Sequence, residues 1–423
     1  MRRNSFAALI PLLLVPRLAA PQGEPLGPEF RVNTATPSSQ GYAAVAAIGD
    51  DFVVVWHSFP QGIVGQRYSS SGDPLGTEFR VNTNTSGTLR NPAVAANASG
   101  SFIVVWQSVP PGCGPPCPPP VGYKVYGQRF AVSGAPVGPE FVVSPIGYPY
   151  QRYPVVAVAP SGAFLVAWNT QFSQAPPGPS DVFAQIYDSS GLPQGPGFRV
   201  NTYTPFYQRV GSVAADPAGN FVVVWSNEYQ SSKWHVSGQR YAPTGAPLGP
   251  EFRVNTDAAA APTWFGSGPA VATDSSGNFV VAWGSDSGSP AGPGLFGQRF
   301  ASSGVPLGPE FRVNASPAAG QNEPAIAVDG GGNFVIAWVD APTSSEADVF
   351  GQRYSSLGEP SGPEFRVNTT TTGWQRNPSV ASTPGGIFLV TWQSGPAGFI
   401  PDDVFGQRFG GVFPVELQDF RLK

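Results

Sequence analysis

The 423-residue sequence is poor in charge and in several reactive side chains. Charged residues make up 12% of the chain, and there are only two cysteines, two histidines and one methionine. Because ordinary globular proteins draw about a quarter of their residues from Asp, Glu, Lys and Arg, this shortage argues against a charge-rich helical protein. Only three of the 23 basic residues are lysines, and the net charge of −4 argues against nucleic acid as a partner.

Turn-forming and apolar residues are abundant in the sequence. The chain holds 52 glycines and 48 prolines, yet 41% of its residues are hydrophobic and 12% are aromatic. This content is too apolar for a disordered Pro/Gly chain. Many turn formers together with many aromatic residues predict an all-β protein with a large core.

The first 20 residues have the layout of a secretory signal. Arg2 and Arg3 precede an apolar stretch from Ala7 to Val15, and a small-residue site predicts cleavage after Ala20. Removal of this segment leaves 20 basic against 27 acidic residues, so the net charge becomes −7. No later stretch reaches 18 apolar residues, so we expect a secreted or cell-surface protein without a membrane span.

The two cysteines lie in one Pro/Gly-rich segment. Cys113 and Cys117 are four residues apart, and in an exported chain a local disulfide between them is plausible. A redox or metal pair is the alternative, although no nearby histidine or third cysteine completes a metal site. We expect no metal and no cofactor.

Four short strings recur seven times each. Glu-Phe-Arg-Val-Asn and its weaker copies occupy 29–33, 78–82, 140–144, 197–201, 251–255, 310–314 and 364–368. An apolar string ends at Trp56, Trp106, Trp168, Trp225, Trp283, Trp338 and Trp392, and a Gly-Gln-Arg-Tyr/Phe string ends at Tyr68, Phe130, Tyr187, Tyr241, Phe300, Tyr354 and Phe409. A Pro-Ala-Val-Ala string precedes each tryptophan string. Four β-type strings in each of seven units predict a seven-bladed β-propeller with four antiparallel strands per blade.

Side-chain size and loop length predict the order of strands in a blade. The Pro-Ala-Val-Ala string should be innermost, followed by the tryptophan, Gly-Gln-Arg and Glu-Phe-Arg strings. The ring is expected to span 21–411, followed by a C-terminal tail at 412–423. The blades are expected at about 42–82, 92–144, 153–201, 210–255, 269–314, 323–368 and 378–410, the last completed by 29–33. The N-terminal outer strand would thus close the ring and cover an open edge, although Asp419–Leu422 imitates an outer strand and competes for that edge.

Most arginines belong to the repeated pattern and are expected to be structural. In each full hairpin the Gly-Gln-Arg arginine stands 11 residues before the Glu-Phe glutamate, as in Arg67 and Glu78, and unit three lacks both residues (Ile186 and Gly197). This pattern predicts a cross-strand Arg–Glu pair, with Arg408 and Glu29 as the closing pair.

Function is expected where the copies differ, on the loops of one face. Four arginines stand just before the inner strand and are predicted to rim the axial channel beside aromatic side chains. The candidate ligand-binding residues are Arg90, Arg152, Arg209, Arg376, Tyr150, Tyr207, Trp264 and Trp374. Aromatic rings beside arginines suit sugars or anionic groups. The alternative is that these side chains only pack the loops together.

No catalytic motif appears in the sequence. There is no Gly-x-Ser-x-Gly, His-Glu-x-x-His or phosphate-binding glycine loop, and His57 and His235 are isolated. Loop acids could supply a carboxylate pair for glycoside hydrolysis: Asp181, Glu228, Asp286, Glu323, Asp340, Asp348, Asp402 and Asp403.

The repeat resembles those of large secreted bacterial proteins of the RTX or adhesin-like kind. The resemblance rests on Gly-Pro-Glu-Phe-Arg-Val-Asn-Thr, Pro-Ser-Val-Ala and Asp-Val-Phe-Gly-Gln-Arg-Tyr, and it spans about residues 25 to 410. Such repeats imply little about chemistry. More distantly, the Gly-Asn-Phe-Val-Val-Ala-Trp blades are similar to those of sialidase-like propellers, but the Asp-box of that family is not matched and no arginine triad can be carried over.

The expected function is non-catalytic binding of a glycan or protein on the variable-loop face of a monomeric, secreted propeller. One alternative is a glycoside hydrolase or lyase that uses loop carboxylates over the channel. The other is a purely structural cell-surface module.

Overall fold

The structure is a computed structural model. It describes residues 24–36, 38–111, 122–144, 150–171, 179–229, 233–256, 268–285, 292–315, 320–343, 346–396 and 402–410. The predicted signal peptide, Cys113, Cys117, Trp264, Asp286 and the tail at 412–423 lie outside the described residues. The signal, the disulfide and the division of the chain into signal, ring and tail therefore stay predictions.

The described residues form 28 strands and no helix. Blade 1 contains β2 (Gln40–Ile48), β3 (Asp51–Ser58), β4 (Gly62–Tyr68) and β5 (Phe79–Arg80), and blade 2 contains β6 (Thr88–Ala96), β7 (Phe102–Val109), β8 (Lys124–Phe130) and β9 (Pro136–Val142). Blade 3 contains β10 (Tyr150–Val158), β11 (Phe164–Gln171), β12 (Ser180–Tyr187) and β13 (Phe198–Arg199), and blade 4 contains β14 (Gln208–Ala215), β15 (Phe221–Tyr229), β16 (Lys233–Tyr241) and β17 (Phe252–Arg253). Blade 5 contains β18 (Ala270–Thr273), β19 (Phe279–Ser285), β20 (Gly294–Phe300) and β21 (Phe311–Arg312), and blade 6 contains β22 (Gln321–Val328), β23 (Phe334–Asp340), β24 (Asp348–Tyr354) and β25 (Phe365–Arg366). Blade 7 contains β26 (Trp374–Ser382), β27 (Phe388–Gly395), β28 (Asp403–Phe409) and, from the start of the chain, β1 (Phe30–Arg31).

Each blade is one antiparallel sheet in which an inner strand, a tryptophan strand, an arginine strand and an outer strand follow in that order. Strand β2, for example, pairs with β3, β3 with β4 and β4 with β5. The predicted all-β, seven-bladed propeller is confirmed, and so is the order of the strands within a blade.

The N-terminal strand closes the ring. Phe30 is opposite Gly406 and Arg31 is opposite Phe405 in the sheet of blade 7. The backbone N–H of Val32 donates to the carbonyl of Val404 at 2.7 Å, so the pairing continues beyond β1. This pairing confirms the predicted closure and covers the edge of β28.

The core lies between the blades. On β3, Val54 and Trp56 pack with Leu389 of blade 7, whereas Val53 and Val55 pack with residues of blade 2. Alternate side chains of a strand point to opposite faces, and here both faces are covered by a neighbouring blade. This two-sided burial explains why the tryptophan strings are continuous apolar runs.

The glycine of the Gly-Gln-Arg string makes room for an outer-strand phenylalanine. A Cβ atom placed on Gly65 would lie 2.6 Å from the ring of Phe79. Blade 3 has Ala184 at this position, opposite Phe198. The glycine therefore allows close packing of the ring, and its replacement by alanine is accommodated in one blade.

The predicted cross-strand Arg–Glu pairs are wrong: none occurs among the ion pairs of the described residues. Arg67 donates instead to the carbonyl of Ser133 in blade 2 at 2.6 Å. Glu78 accepts the backbone N–H of Thr34 at 2.6 Å and its hydroxyl at 2.9 Å, on the other side of blade 1. The two side chains leave the hairpin towards opposite neighbours.

In the closing blade 7, the arginine and the glutamate also bind opposite neighbouring blades. Arg408 donates to the carbonyl of Ser70 in blade 1 and to that of Leu26, and Glu29 accepts from Thr369 of blade 6. The repeated charges thus connect successive blades and do not set the register of a hairpin.

Removal of residues 21–34 should lower the melting temperature strongly. Burial of Val32, which is 2% exposed, contributes about 2 kcal/mol by itself, and the edge of β28 would become unpaired. Thermal unfolding followed by circular dichroism measures the loss. The matched comparison is a chain that ends at residue 411, and an unfolding curve that is unchanged without 21–34 would show that this strand does not close the ring.

Candidate ligand-binding channel

Five of the inner strands contain a β-bulge, and in four of them a proline marks its place in the sequence. A polar or aromatic residue stands before proline in Asn91-Pro92, Tyr153-Pro154 and Asn377-Pro378. Proline cannot donate to a sheet ladder, and within sheets it is confined to edges and bulges. The pairing accordingly skips two residues at this point in β6, β10, β22 and β26, and it does so without a proline in β2. We call Tyr42, Asn91, Tyr153, Glu323 and Asn377, which occupy this position, the bulge residues.

A cavity of about 770 Å³ lies on the axis of the ring. Its lining takes residues from all seven blades, and all five bulge residues are among them. Blade 4 contributes Val210 and Gly211, and blade 5 contributes Gly268. The cavity is therefore the axial channel of the propeller.

Three of the four predicted arginines line this channel. Arg90 and Arg152 stand on the inner strands of blades 2 and 3, directly before the bulge. Arg209 stands on the inner strand of blade 4, two residues before Gly211, where the pairing of β14 shifts. Burial lowers the pKa of Arg209, and the nearby Tyr153 and Glu323 oppose this shift. One side of the channel thus carries three guanidinium groups on consecutive blades.

The fourth predicted arginine, Arg376, binds Asp402 and does not line the channel. Its guanidinium lies 3.1 Å from a carboxylate oxygen of Asp402 and 5.0 Å from the ring centroid of Trp374. Asp402 is buried and also accepts a hydrogen bond from the amide of Gln393. Arg376 and Trp374 therefore belong to a local packed cluster of blade 7.

Two of the predicted aromatic residues, Tyr150 and Tyr207, do not line the channel either. Tyr150 is 4% exposed and packs edge-on against Tyr123, with ring centroids 5.5 Å apart. The guanidinium carbon of Arg152 lies 4.4 Å from the Tyr123 ring centroid and 5.3 Å from that of Tyr150. Tyr150 therefore positions Arg152. Tyr207 is half-buried and does not line the channel; its carbonyl accepts the backbone N–H of Glu228 at 2.8 Å.

Sequence reasoning named Glu323 only among the loop acids and did not identify the shared bulge position of Tyr42, Asn91, Tyr153, Glu323 and Asn377. Tyr42 and Tyr153 are each 43% exposed, and both face the channel. Where a proline follows, as after Tyr153 and Glu323, the proline inside a strand pattern was the signal that could have identified them.

Glu323 provides the acid side of the channel. Its carboxylate accepts the backbone N–H of Asn377 at 2.6 Å. Burial raises the pKa of Glu323, and that hydrogen bond, together with the charges of Arg376 and Arg209, opposes the rise. Blade 6 thus carries an acid in the same channel as the arginines of blades 2 to 4.

Most of the other described loop acids have partners away from the channel. Asp181 is buried and accepts from Asn201 at 2.8 Å. Asp348 and Asp403 accept from Asn368 and Asn33 in the same way. The described residues contain no group of three His, Cys, Asp or Glu side chains placed to hold a metal ion.

His57 directly follows Trp56 and is buried in blade 1. Burial, aided by the positive charge of Arg90, lowers the pKa of His57 to about 4. The imidazole is therefore neutral at pH 7.

Solved structures that are similar to this chain have little sequence identity to it. A protein of unknown function from Dyadobacter fermentans has a TM-score of 0.54 and 10% identity, and the alignment covers 90% of this chain and 97% of that chain. A Hadza microbial sialidase has a TM-score of 0.50 and 10% identity, with 86% and 74% covered. An α-L-arabinofuranosidase of Fusarium graminearum has a TM-score of 0.47 and 12% identity, with 90% and 96% covered.

These likenesses concern the fold alone. The expected similarity to sialidase propellers is confirmed at that level. No protein-family profile matches the sequence, and no curated protein sequence is similar to it at a significant level. The RTX or adhesin-like origin of the repeats stays a prediction. No helix in the described part of the chain has the length and apolar character needed to cross a membrane.

The free energy of unfolding should fall as the pH is lowered from about 6.5 to about 4, in part because of His57. In this window the unfolded chain binds a proton that the folded chain does not, so stability is lost on the acid side. His57→Gln should remove up to about 3 kcal/mol of this pH dependence. Urea unfolding at several pH values measures it, with His235→Gln as the comparison. Identical profiles for His57→Gln and the unmodified protein would contradict the assignment.

Proposed function

We propose that this protein binds an acidic polysaccharide at its axial channel. The observation that carries the proposal is the row of Arg90, Arg152 and Arg209 on three consecutive blades around a cavity of about 770 Å³. None of the three forms an ion pair with a described acid. Three cations on one wall, none of them held in a direct ion pair, favour an anionic ligand, and the Glu323 charge lies near Arg209.

The chemistry of these side chains suits a sugar acid. A guanidinium forms paired hydrogen bonds with carboxylate or sulfate groups, and burial strengthens the attraction. Tyr42 and Tyr153 offer exposed aromatic faces beside the arginines, and such faces pack against sugar rings. The cavity has the size of ordinary small-ligand sites.

The signal-like leader supports the same proposal, since an exported protein meets polysaccharides outside the cell. Secretion, a monomeric state and binding without catalysis are parts of the proposal. A protein ligand is the competing class, but the arginines lie inside a channel formed by all seven blades, and an extended sugar chain fits such a channel better than a folded surface does.

A hydrolase or lyase is the second candidate function. Solved propellers similar in fold include a sialidase and an arabinofuranosidase. Glycoside hydrolysis uses two carboxylates, whereas the described lining of the channel supplies one, from Glu323. We therefore place binding first, and product formation on a polysaccharide panel tests the alternative.

An array of acidic and neutral polysaccharides should show binding of acidic members only. The double variant Arg152→Gln/Arg209→Gln should bind at least tenfold more weakly, because charged hydrogen bonds contribute about 1.5 to 3 kcal/mol each. Isothermal titration calorimetry measures the change in affinity.

The control is Arg366→Gln, which removes an outer-strand arginine paired with Asp348. It should bind like the unmodified protein. Equal binding of neutral and acidic polysaccharides, or unchanged affinity of the double variant, would overturn the proposal. Formation of a product from a polysaccharide that is lost in Glu323→Gln would favour an enzyme. The absence of both binding and product formation would favour a structural module.

A further inference from the structure

Left-handed backbone conformations of residues other than glycine are concentrated at the channel. Among the described residues, 26 glycines have a positive φ, but only six other residues do. Five of those six are the bulge residues: Tyr42 (φ 53°), Asn91 (50°), Tyr153 (54°), Glu323 (56°) and Asn377 (52°). The sixth, Phe206 (65°), does not line the channel.

Such a conformation costs free energy in any residue with a Cβ atom, and glycine adopts it without that cost. Elsewhere in the described residues, glycine occupies every left-handed position except that of Phe206. At the bulge it carries a side chain instead, so the side chain itself is the feature to be explained.

Side-chain hydrogen bonds explain why three of the bulge residues are not glycine. Asparagine tolerates the left-handed region, and the Asn377 amide donates to Gln393 at 3.1 Å. The Asn91 amide donates to Gln107 at 3.3 Å. The Glu323 carboxylate binds the Asn377 backbone. Asn91 and Asn377 thus bind the neighbouring strand of their own blade, and Glu323 connects the inner strands of blades 6 and 7.

The two tyrosines have no such explanation. Their backbone N–H groups donate to Gln393 and Gln107, as any residue could. Neither hydroxyl makes a hydrogen bond to a described residue, and both tyrosines are 43% exposed and line the channel. Only the Tyr153 ring has a charged neighbour, the Arg209 guanidinium at 5.4 Å.

Tyr42 and Tyr153 stand at the same position of blades 1 and 3 and flank blade 2 with its Arg90. We propose that these two tyrosines receive the end residue of the acidic polysaccharide, with a sugar ring against the aromatic faces and its acid group at the arginines. Because residues from all seven blades encircle the site, we infer that a polymer enters it by an end. This inference rests on the proposed function and adds the part of the ligand that is recognised.

The test uses glycine variants, which remove the ring and the backbone cost together. For Tyr42→Gly and Tyr153→Gly we expect an unchanged or raised melting temperature and at least tenfold weaker binding of tri-galacturonate by calorimetry. Phe206→Gly is the matched control, because it relieves the same conformation outside the channel and should leave binding unchanged. Tyr153→Phe keeps the aromatic face and should retain binding.

Recognition of a chain end gives a second readout. Tri-galacturonate and long polygalacturonate should bind alike when their concentrations are counted as chain ends. Affinity that follows the total number of sugar residues instead would overturn end recognition.

The outcomes separate this inference from the proposed function. If tri-galacturonate and the other acidic saccharides fail to bind the unmodified protein, both fail. If binding depends on Arg152 and Arg209 but Tyr42→Gly and Tyr153→Gly bind as the unmodified protein does, only this inference fails. A lowered melting temperature with unchanged binding in the glycine variants would assign the tyrosines to the scaffold.

Discussion

Each blade buries both faces of its tryptophan strand against its two neighbours, and the rest of the molecule depends on this packing. Phe52, Val54 and Trp56 of blade 1 contact blade 7, while Val53 and Val55 contact blade 2. A single blade would expose both sets of side chains, so a stable unit requires the whole circle. The pairing of β1 with β28 completes that circle, and the completed circle fixes the inner strands around one channel.

The repeats allowed much of the fold to be predicted. Each recurring string became one strand, because β-branched and aromatic residues bounded by turn formers have few other ways to pack. The partners of the repeated charges could not be predicted in the same way. Arg67 and Glu78 stand 11 residues apart in the chain and so resemble a pair, but the direction in which each side chain leaves the sheet depends on the neighbouring blades.

The sequence predicted three arginines of the candidate site, but it did not predict which side chains would bind Arg376 or where the bulge would lie. Arg90, Arg152 and Arg209 stand just before the small-residue strings in the sequence, and the innermost place of these strings brings them to the channel. Arg376 has the same place in its repeat, but Asp402, which no repeated pattern marks, binds it in blade 7. The left-handed conformation of Tyr42 follows from a bulge that the strand pattern does not encode, since no proline comes after it.

The channel combines a repeated backbone with side chains that do not repeat. The bulge has nearly the same φ in five blades, yet it presents tyrosine, asparagine or glutamate. One wall is cationic and the opposite blades carry an acid and an amide. A ring of similar blades thereby forms a single asymmetric site, which we expect to hold a ligand in one orientation.

The most direct test of this account is a crystal structure of the protein with tri-galacturonate bound. The account predicts the end residue of the sugar in the axial channel, with its carboxylate at Arg152 and Arg209 and its ring beside Tyr42 and Tyr153. A sugar bound on the outer strands of the ring, with the channel arginines untouched, would contradict it.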